Sequence, residues 1–132
     1  MPIELIRPHG LVHSPAFSHV AVVPAGATTI YVGGQNSVDA DGAIVGADDV
    51  AAQSIRALEN VKTALAAAGA SIDDVVQWTV LFVDGVDIAA AYGAIASKLA
   101  TEEPGLVTGA RVAGLAVPGA LVEIAAVAAK ID

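Results

Sequence analysis

The sequence contains no cysteine. Disulfides, a thiolate nucleophile and a cysteine-ligated metal are therefore excluded. Basic residues are scarce: six Lys and Arg stand against 14 Asp and Glu, for a net charge of −8. A phosphate backbone needs clustered Lys and Arg, so nucleic acid is not an expected partner. Charged residues reach only 15% while hydrophobic ones make up 55%, carried mostly by Ala and Val. A chain with so few charges to spread over its surface is expected to bury part of that surface between subunits. No unbroken apolar run reaches the ~18 residues of a membrane-spanning helix. The opening MPIELIRPHG lacks the basic start and apolar stretch of a signal peptide, so a cytoplasmic location is expected. No linker or repeat divides residues 1–132, which read as one domain.

What is present is organised around Asp48–Asp84. Ala51, Ile55, Leu58, Val61, Leu65 and Ala68 recur at spacings of three and four, which predicts a helix with one apolar stripe. Asp48-Asp49 stands where an N-cap belongs and Gly69 where a left-handed stop belongs. Val75–Val83, VVQWTVLFV, is β-branched and aromatic and predicts a strand too apolar to have a wet face. Trp78, Val80 and Phe82 on one side of it are expected in the core or a subunit interface. Upstream, residues 2–6 read as a short strand, and 19–23 with 28–32 read as a hairpin about Pro24-Ala25-Gly26-Ala27. Downstream, Asp87 caps a second helix whose inner face carries Ile88, Ala91, Tyr92, Ile95 and Leu99. Residues 106–116 and 120–129 read as a closing hairpin about Val117-Pro118-Gly119. The order β, ββ, α, β, α, ββ predicts an α+β fold: one mixed sheet with both helices on one face and an apolar second face buried against other subunits.

Several ordered motifs resemble the RidA/YjgF family. They are Ser14-Pro15-Ala16-Phe17-Ser18-His19, Tyr31-Val32-Gly33-Gly34-Gln35, the Asp41-Gly42 turn, Gln53 to Asn60 with Ala68-Gly69-Ala70, and Val117 to Ile124. The resemblance covers nearly the whole chain. It implies a chorismate-mutase-like α+β unit assembled as a homotrimer, with small-molecule clefts between subunits and no cofactor. It also implies hydrolysis of reactive enamines or imines such as 2-aminoacrylate, in which an Arg clamps the substrate carboxylate and a Glu holds the attacking water.

The chain departs from that pattern at the site. The family's Pro-Ala-Arg motif, counted back from Pro118, falls on Gly105-Leu106-Val107, which sets Val107 in the place of the clamping Arg. Phe17 stands for a Tyr, Gly33 for a Ser, and Tyr92 for a frequent Asn. Glu123 remains, with Gly34 and Gln35 beside it. A carboxylate inside LVEIAAVA costs several kcal/mol to bury alone, so Glu123 is expected to have a partner, a wet cleft or a raised pKa. It reads as a catalytic residue or as half of a structural pair with Arg111. Arg111, four residues after Val107 and so about 13 Å away on the same face, reads as a displaced anion anchor or as an interface bridge. The substrate-contact candidates are therefore Phe17, Gly33, Gly34, Gln35, Tyr92, Val107 and Arg111. His9, His13 and His19 lack a carboxylate at ligand spacing, so no metal is expected.

Three functions follow. One is an imine or enamine hydrolase shifted from 2-aminoacrylate towards a neutral or aromatic substrate. The second is a non-catalytic binding or regulatory trimer. The third is a nuclease or translation inhibitor, which the net charge opposes.

Overall fold

A computed structural model describes residues 1–132. The elements are β1 (Glu4–Ile6), β2 (Val20–Val22), β3 (Thr28–Gln35), α1 (Val50–Ala67), a 3₁₀ turn (Ile72–Asp74), β4 (Val75–Val83), α2 (Ile88–Leu99), β5 (Leu106–Val112) and β6 (Val122–Lys130). The α+β architecture is as the sequence predicts. The main sheet is mixed and four-stranded, in the order β3-β6-β4-β5. Both helices contribute to one core with the Trp78, Val80 and Phe82 side of β4 and the Val122, Ile124, Ala126 and Ala128 side of β6.

α1 begins where the carboxylate of Asp49 accepts from the amide of Ala52 at 3.0 Å. It ends in a Schellman motif: the N–H of Ala70 donates to Leu65 O at 2.9 Å and that of Gly69 to Ala66 O at 3.0 Å. Gly69 takes the left-handed φ of +75° that this stop requires. The buried stripe is Gln53, Ser54, Ala57, Leu58, Val61 and Leu65. Ala51 and Ile55 are half-buried and Ala68 is exposed, so the stripe is rotated from the one that apolarity alone marks. Two polar side chains take its first turn because each is satisfied internally. Ser54 Oγ donates to Val50 O at 2.7 Å. Gln53 Nε2 donates to Gly46 O and Gly119 O, both at 3.2 Å, and Gln53 Oε1 accepts from Leu121 N at 2.9 Å.

Two predicted hairpins are not formed. Residues 20–22 pair antiparallel with 4–6 in a separate two-stranded ribbon, not with 28–32. β3 instead pairs antiparallel with β6, from Thr28 opposite Lys130 to Val32 opposite Ala126, because the nine-residue β6 offers it a longer ladder than β2 does. β5 and β6 are also not partners. β5 runs parallel to one side of β4, with α2 as the crossover that parallel strands need, and β6 runs antiparallel on the other side. Residues 113–121 cross the end of β4, where Asp84 N donates to Val112 O at 2.8 Å and Val83 N to Leu121 O at 3.0 Å. Gln53 therefore holds this crossing loop as well as the loop before α1. Only 25 of 132 residues are buried, so a chain that is 55% hydrophobic leaves much apolar surface uncovered.

Candidate functional site

Strand alternation sorts the candidate residues onto two faces. Trp78, Val80 and Phe82 face the helices, so their register partners Val107, Gly109 and Arg111 on β5 share that face. Gln77, Thr79 and Leu81 face away, with Leu106, Thr108 and Ala110 on β5 and Ala125 and Glu123 on β6. Tyr31, 80% exposed, is paired with Val127 on that same helix-free side.

Glu123 sits half-buried on the helix-free face, opposite Leu81, with Ala110 in the next strand at the same level. Its side chain lies against Gly34, so closely that a Cβ there would fall 2.6 Å from its Cδ. Glycine at 34 leaves room for this approach of the Glu123 side chain. Asn36 is buried beside it and donates Nδ2 to Val122 O at 3.0 Å and, at a long 3.5 Å, to Glu123 Oε1. The backbone of that segment is fixed from α1. Asn60 Nδ2 donates to Asn36 O and Val38 O, both at 2.9 Å, and Arg56 Nε donates to Asn60 Oδ1 at 3.1 Å. A relay of side chains thus runs from the helix to the segment that carries the carboxylate's neighbour. Gln35 spends its amide on Gly33 O at 3.2 Å, holding the strand end. One oxygen edge of Glu123 is left for something other than the protein chain.

The other candidates stand on the opposite side of the sheet. Val107 and Tyr92, 44% and 42% exposed, line a cavity of about 190 Å³ between α2 and the β4–β5 pair. Arg111 Nη1 donates to Val86 O at 3.1 Å, bracing the turn between β4 and α2. Phe17 is half-buried in the N-terminal loop, where Arg7 Nε donates to its carbonyl at 3.2 Å and its ring meets His19 edge-on at 5.3 Å. Ser18 N donates to Gly105 O at 3.2 Å, so this loop docks at the start of β5. Within one chain Glu123 and Gly34 come together, and so do Tyr92 and Val107, but the two groups do not meet. Arg111 and Glu123 likewise lie on opposite faces, so the pair expected across a β5–β6 hairpin does not form within the chain.

The register also bears on the clamp. Leu106, not Val107, shares the face of Glu123. If Pro104 stands for the Pro of Pro-Ala-Arg, Leu106 takes the Arg place. Neither side chain donates a hydrogen bond. Sequence pattern alone does not mark Asn36, although a buried carboxylate demands a donor and the polar Gln-Asn-Ser run before the Asp41-Gly42 turn is the place to seek one.

This α+β unit, with its four-stranded mixed sheet, two helices on one face and a lone Glu on the other, defines a class that comparison with known proteins identifies. The family model described as Endoribonuclease L-PSP matches residues 11–130. A 3-aminoacrylate deaminase, RutC, of Acinetobacter baylyi is 34% identical over 131 residues, covering 97% of this chain and 98% of its own. A solved protein of unknown function from the conserved Rid family, YyfB of Yersinia pestis, superposes with a TM-score of 0.83 at 30% identity, over 97% of this chain and 98% of its own. The YjgF gene product of E. coli superposes at 0.67 with 30% identity, over 80% and 83%. The chain belongs to the RidA/YjgF family.

Proposed function

We propose that the protein is a homotrimeric hydrolase of small imines or enamines, with Glu123 positioning the attacking water. The observation that carries this reading is the seat of Glu123: half-buried on a sheet face free of helices, against Gly34, with one long contact to Asn36. A carboxylate kept in such a place without a counter-ion is suited to holding water. In the reaction water adds to the imine carbon while Glu123 takes its proton. That proton passes to nitrogen to give a carbinolamine, and the hydroxyl proton then moves through Glu123 to the amine as the C–N bond breaks, leaving a carbonyl product and ammonia. The RutC relative is named for deamination of 3-aminoacrylate, an enamine of this type.

The substrate is proposed to be uncharged. Leu106, Thr108 and Ala110 occupy the β5 positions on the face of Glu123, and none can clamp a carboxylate. The apolar helix-free face, with Leu81, Ala125, Val127 and Tyr31, supports burial against two further subunits, which would close a cleft over Glu123. A contact of Phe17, Tyr92, Val107 or Arg111 with that substrate would come from a neighbouring subunit. No helix is long and apolar enough to cross a membrane, in keeping with the proposed cytoplasmic location. The net charge of −8 disfavours action on RNA.

The absence of any cation on the face of Glu123 also favours a second reading, a trimer that binds a neutral small molecule without turning it over. Ammonia release from neutral imines and from 2-aminoacrylate separates the two. Wild type is expected to act on neutral imines, and Glu123→Gln to lower the rate about 100-fold or more. Leu106→Arg is expected to gain activity on 2-aminoacrylate, and Val107→Arg is not. Silence of wild type on every imine would leave the binding reading.

A further inference from the structure

We infer that the cavity between α2 and the β4–β5 pair is a second ligand site, separate from Glu123, that takes an uncharged molecule the size of a single aromatic ring. Its volume is about 190 Å³. An apolar cavity of roughly 150 Å³ is enough to admit benzene, so a substituted ring fits this one. Its walls are Trp78, Val80 and Phe82 from β4, Ile95 and Leu99 from α2, and Val107 from β5. No charged residue lines it; the lining residues with a polar side-chain group are Tyr92, Thr101 and Trp78. An ion entering such a space loses its hydration without compensation, whereas a neutral ring with one hydroxyl loses little. Within one chain the cavity lies on the helix side of the sheet, across from Glu123.

Space, not strain, keeps the site open. A Cβ added at Gly109, on the cavity wall, has Val80 O at 3.8 Å as its nearest neighbour, which is ordinary contact. The β5 wall therefore tolerates a side chain that this sequence does not supply. Tyr92 and Val107 are both partly exposed, so the cavity opens to solvent between α2 and β5.

Trp78 is the single tryptophan, so its indole N–H gives one NMR cross-peak that reports on the site directly. The full-length protein is titrated with 4-methylphenol, benzoate and benzylammonium. The expected result is a saturable shift with 4-methylphenol at a Kd of about 0.1–1 mM, an ordinary efficiency for eight heavy atoms, and at least tenfold weaker binding of both ions. Gly109→Leu, which fills the cavity, is expected to weaken 4-methylphenol binding at least tenfold. Should that variant fail to fold, Val107→Phe at the mouth serves in its place. Glu123→Gln is expected to bind as wild type does, so loss of ammonia release and loss of cavity binding are told apart. No saturable shift up to about 10 mM, equal binding of benzoate, or undiminished binding by the filled variant would each overturn the inference.

Discussion

The two faces of the main sheet are built on opposite plans. On the helix side, Leu58, Val61, Leu65, Ala91, Ile95, Val122 and Ala128 are all within 1% of complete burial. On the other side, Leu81, Ala125 and Val127 are half-buried, Tyr31 is open and Glu123 is seated. The first face holds the chain together. The second contributes little to the stability of a single chain and is free to carry chemistry and contacts.

Substitutions at matched positions test that division. Leu58→Ala is expected to cost about 3 kcal/mol in urea unfolding, because a fully buried side chain leaves a cavity. Leu81→Ala on the other face is expected to cost under ~1 kcal/mol in the monomer. Equal losses would break the comparison. Gln53→Leu is expected to cost about 2–3 kcal/mol although it adds apolar surface, since it strands the amide of Leu121 and the carbonyls of Gly46 and Gly119. Gly34→Ala is expected to lower stability by no more than ~1 kcal/mol, because a side chain must move and not backbone, yet to displace Glu123 and cut imine hydrolysis about tenfold or more. Val127→Lys, on the helix-free face, is expected to change monomer stability least, by ~0.5 kcal/mol or less, while sedimentation shows loss of the proposed trimer.

Much of this was legible from the residues. The helix at Asp49–Gly69 carries its own start and stop, and the period of the apolar residues in α2 is unambiguous. Strand partnership was not legible. Local turn residues at Pro24–Ala27 and Val117–Gly119 signal a change of direction, but which ladder a strand joins is decided by distant residues. The candidate site suffered from the same cause. A one-residue difference in register moves a side chain to the other face, so counting the clamp position back from Pro118 to Val107 places it across the sheet from Glu123. The polar clamp of Gln53 was hidden because a glutamine in a helix reads as surface until its three partners, far apart in sequence, are known.

The last strand of the chain is an inner strand of the sheet. β3 and β4 each pair with β6, the last strand in chain order. During synthesis β3 and the β6 side of β4 must wait with open edges, and the sheet can form only once β6 has left the ribosome. Folding is therefore governed by contacts between distant parts of the chain, and is slow for so short a protein. The exposed apolar strands of the incomplete chain are the species that a cell would need to shield. Deleting β6 would remove an inner strand, whereas deleting β1 would loosen only the two-stranded ribbon.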